Sequence, residues 1–171
     1  MAALKPIIYS GQDFALLRDK NRFVLPTQFR KSLKASNEDY NGGKATMLLL
    51  KHDRWECLTG FGGSRITTLE AQLDREEEMA SRTGRDFDRE KRSVDLYTFE
   101  EVPFDGSGRF VIPEGLAAMA GIEDQAFFQG GGQFFTIWSP AELARMGDDW
   151  ANAKAACERL AARELAKARN K

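Results

Sequence analysis

Six basic side chains crowd into one short stretch near the start of this chain. Arg18, Lys20, Arg22, Arg30, Lys31 and Lys34 stand against Asp19 alone, so the segment 18–34 carries a net charge of +5. The whole chain of 171 residues holds 25 Lys and Arg against 26 Asp and Glu, a formal net of −1. Anion binding by bulk charge is thereby excluded, and any such binding must be local. Clustered Lys and Arg on a turn and a helix neutralise phosphates, and an Arg at the start of a strand can present its planar fork to guanine O6 and N7. The same charges also suit a solvated basic surface or a contact with an acidic face of another copy.

Other chemistries have little to work with. The single histidine, His52, lies in the charged run Lys51-His52-Asp53-Arg54 and reads as a solvated turn residue rather than the base of a nucleophilic pair. Cys57 and Cys157 are far apart, and with one histidine they cannot supply the four N or S ligands of a structural zinc site. No enzyme activity, metal or cofactor is expected. Neither Gly130-Gly131-Gly132 nor Gly60-Phe61-Gly62-Gly63 has the Lys-Ser/Thr or helix start of a phosphate cradle, and both read as turns. No apolar run approaches the ~20 residues of a membrane span, and the start MAALKPIIYSGQ is too short an apolar run for a signal peptide. A globular cytosolic protein with no membrane partner is expected.

An internal repeat supplies the elements that must position the basic residues. Arg22-Phe23-Val24-Leu25-Pro26 recurs as Arg109-Phe110-Val111-Ile112-Pro113, 87 residues later. Further on, Met47-Leu48-Leu49-Leu50 and Trp55-Glu56-Cys57-Leu58 align with Ala126-Phe127-Phe128 and Phe134-Phe135-Thr136-Ile137 at an offset of 79, which leaves eight extra residues in copy 1. The polar, turn-rich stretch Ser36 to Gly43 is where they are expected. Each copy reads as a strand, a tight turn, a second strand, a short helix opened by proline and a hairpin. In copy 2, Asp105-Gly106-Ser107-Gly108 makes the turn, Pro113 takes the first helical position and Gly121-Ile122 caps the helix in a left-handed conformation. The segment 105–121 nets −1, so the copies differ in charge. Between them, Thr67 and Glu70 have capping-box spacing, Ile66, Leu69 and Leu73 share a helical face, and a mixed-charge solvated helix breaks at Thr83-Gly84. Ser139-Pro140-Ala141-Glu142 then opens a terminal helix whose stripe of Leu143, Met146, Trp150, Ala153, Cys157 and Leu160 is expected to pack on the chain's own core.

The residues Gly11, Leu17-Arg18-Asp19-Lys20-Asn21-Arg22-Phe23-Val24-Leu25-Pro26, Phe29-Arg30, the repeat from Asp105 to Pro113, and Phe135-Thr136-Ile137-Trp138-Ser139 resemble the MraZ family, bacterial regulators of the division and cell-wall gene cluster. The likeness spans nearly the whole chain. It implies an α+β fold of two tandem AbrB-like, swapped-hairpin half-barrels at 6–60 and 95–139, a helical linker at 61–94 and a C-terminal helix at 140–171. It further implies a ring-shaped homo-oligomer that binds double-stranded DNA at direct repeats upstream of that cluster, as a cytoplasmic, nucleoid-associated repressor. An AbrB-like protein-interaction module such as an antitoxin is the alternative in another class, and an enzyme with an unrecognised site is the third.

The family's turn is an acid, three residues, then Arg, and copy 2 keeps it as Asp105 to Arg109. Copy 1 departs from it, with Arg18 at the position of the acid, Asp19 one residue later, and Asn21 where copy 2 has Gly108. Asn visits left-handed backbone conformations readily, so the turn can survive. Arg22 is expected to lose its carboxylate partner. The DNA-binding residues implied are Arg18, Lys20, Arg22, Arg30, Lys31 and Arg109, on turns shaped by Asp19, Asn21, Asp105 and Gly108, with the copy 1 turn carrying more of the affinity on grounds of charge.

Overall fold

The computed structural model describes residues 6–170. The first repeat runs β1 (Gln12–Leu16), a tight turn, β2 (Phe23–Val24), α1 (Thr27–Asn41), β3 (Thr46–Lys51) and β4 (Leu58–Phe61). Helices α2 (Leu69–Arg82) and α3 (Arg89–Leu96) connect it to the second, which runs β5 (Glu100–Pro103), β6 (Arg109–Phe110), α4 (Glu114–Ala120), β7 (Gln125–Gly130) and β8 (Phe135–Trp138). Helices α5 (Pro140–Ala144) and α6 (Ala151–Arg169) close the chain. The fold is α+β with antiparallel sheets.

Neither repeat closes on itself. The large sheet has the order β1-β7-β8-β4-β3-β5, and β2 pairs only with β6. The first strand of each repeat therefore lies against the hairpin of the other, and exchanging every strand for its counterpart returns the same order read backwards. In β2 and β6, Phe23 and Phe110 face each other and are buried with Leu25 and Ile112, while Arg22, Val24, Arg109 and Val111 point away from the core. This period-two alternation is the strand pattern visible in the repeated pentapeptide. Strands β7 and β8 are buried on both faces: Ala126, Phe128, Phe135 and Ile137 join the main core under α1 and α4. Phe127 and Trp138 join a second core with Phe14, Leu143, Cys157 and Leu160. The apolar stripe of the terminal segment thus packs on the chain's own sheet. It does so on two helices rather than the single one expected, because Gly147, in extended conformation, starts a separate 3-10 turn over Asp148–Trp150.

Several local expectations are corrected. The eight extra residues of copy 1 are not a loop: α1 has 15 residues and α4 has 7, so the insertion adds about two helical turns. The added turns carry a polar anchor. Buried Asn37 donates from Nδ2 to the carbonyls of Lys44 (2.9 Å) and Thr46 (2.8 Å) and accepts the Gly63 N–H on Oδ1 (2.8 Å). The segment Gly60–Gly63 is likewise not a turn. Gly60 and Phe61 end β4, where a Cβ on Gly60 would lie 2.3 Å from the Phe135 ring. A Cβ on Gly62 or Gly63 would collide with Ser36 or Tyr40 of the extended helix. Small residues let helix and strand approach closely.

The run Trp55-Glu56-Cys57 is in the β3–β4 hairpin loop, and only Leu58 of the aligned tetrad is in a strand. Leu58–Phe61 corresponds to Phe135–Trp138, and the loop 52–57 is two residues longer than 131–134. Trp55 leaves the strand to pack edge-on against Trp150, with ring centroids 4.7 Å apart. Thr67 makes no capping box, since α2 begins at Leu69 and the Thr67 hydroxyl donates to the Ser64 carbonyl (2.7 Å). Pro26 and Pro113 occupy the N-cap, one position earlier than expected, where their carbonyls accept the Arg30 and Ala117 N–H groups. Gly121 does cap α4 in the left-handed conformation, with φ of 66°. The connection breaks at Gly84 as expected, and its charges pair across α2 and α3, with Arg89 bridging Glu70, Asp74 and Glu77.

Replacing Asn37 removes three hydrogen bonds at once and leaves the buried Gly63 N–H and the half-buried Thr46 carbonyl without the amide, while the Lys44 carbonyl keeps the Thr46 N–H. Asn37→Ala is expected to lower unfolding free energy by about 2–4 kcal/mol, and Asp39→Ala on the exposed face of the same helix by less than about 0.5 kcal/mol. Urea denaturation with unchanged m-value measures both. Equal losses at the two positions would refute the anchor.

Candidate nucleic-acid interface

The short antiparallel β2–β6 ladder carries one turn at each of its two ends. Phe23 pairs with Phe110 and Val24 with Arg109, so Arg22, two residues before Val24 on the same face, lies diagonally across the two-stranded ribbon from Arg109. The two turns close in the same way: Arg18 N–H donates to the Arg22 carbonyl (2.8 Å), and Asp105 N–H to the Arg109 carbonyl (3.0 Å).

Within that frame the two turns use different chemistry. In the second, the Asp105 carboxylate accepts the backbone N–H groups of Ser107 and Arg109, both at 2.9 Å, and Arg109 Nε at 2.7 Å. Gly108 supplies the left-handed residue, with φ of 84°. In the first, Arg22 N–H returns to the Arg18 carbonyl (3.3 Å), and two residues are left-handed, Lys20 (φ 62°) and Asn21 (φ 56°). A Cβ makes that conformation unfavourable by about 1–2 kcal/mol at Lys20, while Asn tolerates it. Arg22 is not left without a partner: its Nε donates to the Asp19 carbonyl at 3.1 Å. A backbone carbonyl therefore replaces the missing carboxylate. Both arginines are tied back through Nε, and among the described residues neither uses its terminal guanidinium nitrogens in a hydrogen bond. Those nitrogens are the atoms that grip a phosphate or a guanine edge.

The other basic residues of the first repeat do not gather at their own turn. Arg30 reaches across to the second, donating to the Gly106 carbonyl (3.3 Å) and to Thr27 Oγ1 (2.7 Å), with its stem packed where Gly108 has no Cβ. Lys31 and Lys34 line a small hollow with Asp105 and Gly106. The excess of positive charge that the sequence assigns to copy 1 is thus shared between the turns. Arg18, Lys20 and Arg22 stay at the first, and Arg30, Lys31 and Lys34 stand beside the second. Segment charge fails as a measure of surface charge because the repeats exchange their parts.

An open groove of about 820 Å³ joins these pieces. Its lining includes Arg18, Arg22, Arg30 and Arg109, with Arg163 and Lys167 from α6. The two α6 residues were missed at the sequence level, although Arg159, Arg163 and Lys167 recur at a spacing of four, the mark of one helical stripe.

No comparable chemistry occurs at His52 or the cysteines. His52 is buried, not solvated: its Nδ1 accepts the N–H groups of Arg54 and Trp55 at 3.1 Å, its ring stacks on Trp55 at 4.2 Å, and burial lowers its pKa. The cavity of about 490 Å³ beside it contains Arg92, whose charge is taken up by Asp53 and Glu76 at 3.0 Å. Both thiols are buried, and burial pushes Cys157 up to about 11. Among the described residues no group of three or more His, Cys, Asp or Glu side chains is placed to hold a metal ion.

Fold and groove together define an α+β protein with two interleaved repeats that present paired arginine turns in a cationic groove suited to a polyanion. Comparison with known proteins gives the family. The chain is 34% identical over 145 residues to the transcriptional regulator MraZ of Rhodospirillum rubrum, covering 83% of this chain and 84% of that protein. It is 31% identical over 129 residues to the transcriptional regulators MraZ of Rickettsia akari and Rickettsia felis, covering 74% of this chain and 77% of each. No family model matches. The chain belongs to the MraZ family of transcriptional regulators.

The second turn has a pH signature. The Arg109 backbone N–H holds the Asp105 carboxyl below the ordinary 3.8, helped by the Arg109 side chain and the Ser107 N–H against partial desolvation. A carboxylate with a lowered folded pKa stabilises the fold above its unfolded value, and that contribution is lost as pH falls through the folded value. Carboxyl-carbon NMR is expected to place the Asp105 midpoint below 3.8, moving back towards it in Arg109→Ala. A wild-type midpoint at or above 3.8 would contradict the geometry.

Proposed function

We propose that this protein is a sequence-specific DNA-binding transcriptional regulator that represses the division and cell-wall gene cluster, and that it binds direct repeats upstream of its own operon. The units 6–60 and 95–139 act as AbrB-like, swapped-hairpin halves, and chains assemble into a ring that offers one paired turn per subunit to successive repeats on the duplex. It works in the cytoplasm on the nucleoid. The observation that carries this reading is the presence of Arg22 and Arg109 on one face of one ribbon, each held through Nε with its fork free. A side chain ordered before binding loses less conformational entropy on contact, and a planar fork matches two acceptors at once. Arg18, Lys20, Arg30 and Lys31 supply the phosphate contacts that hold the arginines in register without carrying sequence information. The geometry of Asp19, Asn21, Asp105 and Gly108 maintains the turns.

The antitoxin alternative calls for a terminal segment free to wrap a partner. Here Ala156, Cys157 and Leu160 of α6 are buried against the sheet, which favours the regulator.

Arg22→Ala and Arg109→Ala are each expected to weaken operator binding by about 1–3 kcal/mol per engaged turn and to relax base preference. The effect is multiplied where several subunits engage. Lys20→Ala and Lys31→Ala should weaken operator and scrambled duplexes alike. The assay is a binding titration on DNA from upstream of the gene, using protein whose mass, by mass photometry, is a multiple of 19.2 kDa. Wild-type operator binding by both arginine variants would overturn the proposal, and a particle of only 19.2 kDa would overturn the ring.

A further inference from the structure

The groove has a wall that the turns do not provide. The groove is lined by Arg18, Asp19 and Arg22 of the first turn, by residues of β1 and β2, and by Arg163, Glu164, Lys167 and Ala168 in the last two turns of α6. We propose that this end of α6 is a second phosphate-binding element, which clamps the DNA backbone flanking the bases read by the turns. The inference rests on the DNA-binding reading and extends its footprint to a helix outside both repeats.

Charge and placement support it. Among the groups lining the groove, Arg18, Arg22, Arg30, Arg109, Arg163 and Lys167 outweigh Asp13, Asp19 and Glu164. The acids on the α6 side act as brackets for its cations. Arg163 meets Asp13 at 3.5 Å and Glu164 at 3.4 Å, and Lys167 meets Glu164 at 3.4 Å. Glu164 is the more sheltered partner, and it holds two exposed cations at the rim. Arg159, Arg163 and Lys167 are like charges at i, i+4 and i+8, an arrangement that weakens an isolated helix and is relieved when an anion lies along the stripe. The helix can bear that load because Ala156, Cys157 and Leu160 fix its preceding turns to the sheet beside Phe14, and Arg163 and Lys167 continue that same side along β1, where Arg163 meets Asp13. Phosphates held there would be contacted without regard to sequence, since no base edge need enter this side of the groove.

The experiment is a salt titration of binding by the assembled full-length protein to operator duplex and to a scrambled duplex of equal length. In the double variant Arg163→Gln/Lys167→Gln, affinity should fall by the same factor on both duplexes. The slope of log K against log salt should shrink by roughly two per engaged subunit, the value for two phosphates released. A loss confined to the operator would overturn the phosphate role. An unchanged slope and affinity, beside a loss in Arg22→Ala, would place α6 outside the footprint and leave the DNA-binding reading intact. Wild-type binding by both variants would remove the two together. Glu164→Gln gives an independent check that deletes no cation: both duplexes should bind several-fold more tightly, and unchanged binding would overturn the clamp.

Discussion

The antiparallel pairing of Phe23-Val24 with Arg109-Phe110 is the contact on which the arrangement depends. Two residues per strand make too short a ladder to persist alone. It is held by what lies beneath it, because Phe23, Leu25, Phe110 and Ile112 are all buried in the main core. Since β2 and β6 come from different repeats, the ladder can form only if the repeats interleave. The same exchange lets β1 pair with β7 and β5 with β3, completing one six-stranded sheet. If each repeat closed on itself, Arg22 and Arg109 would sit on separate ribbons. A groove lined by Arg22 and Arg109 together is a consequence of strand exchange.

The repeat was legible because it is written in residues that alternate. Arg-Phe-Val-Leu-Pro and Arg-Phe-Val-Ile-Pro each put two apolar side chains inward, and a proline starts the following helix, so strand, turn and helix follow from a few positions. The β7–β8 hairpin, the cap at Gly121 and the packing of Leu143 to Leu160 on the chain's own core were legible too, although Gly130 ends β7 and the loop runs over 131–134 rather than Gly130–Gly132. What sequence could not supply was which strand meets which, and the errors follow from that. Ser36 to Gly43 looked like a loop by composition, but Ser36 and Asn37 are polar because they bind Ser64 and Gly63 across the fold. Gly62 and Gly63 looked like a turn because the side chains they make room for lie on a helix more than twenty residues earlier. In the same way, Arg30, Lys31 and Lys34 were assigned to the wrong turn, and Arg163 and Lys167 to none.

The two turns show how one geometry can be reached by two chemistries. Asp105 gathers three N–H groups on a single carboxylate and so closes the loop and aims Arg109 at once. The first turn divides those tasks. Backbone pairing between Arg18 and Arg22 closes it, left-handed Lys20 and Asn21 turn the chain, and the Asp19 carbonyl aims Arg22. A neutral carbonyl is a weaker partner than a carboxylate, but it leaves the arginine charge uncompensated. The second turn, whose arginine is compensated by Asp105, is the one that receives Arg30, Lys31 and Lys34 from the opposite repeat. The exchange of elements thus evens out a charge difference that the linear sequence makes look one-sided.

Covalent fusion is what permits this asymmetry. Two identical chains exchanging strands would carry the same turn, the same helix and the same edge twice, and a substitution at one would be imposed on the other. In a fused pair each half can specialise while the shared sheet stays intact. Helix α1 has grown to 15 residues and acquired the Asn37 anchor while α4 stays at 7. Only the β1 side of the sheet receives α6, while the β5 edge is short, ends in Pro103 and carries exposed Glu100 and Glu101, features that discourage further strand pairing. The covered side and the groove coincide: α6 reaches the turns because it packs on β1, and β1 leads directly into Arg18. The element that stabilises one edge of the sheet is therefore also the element that brings two more cations to the arginine turns.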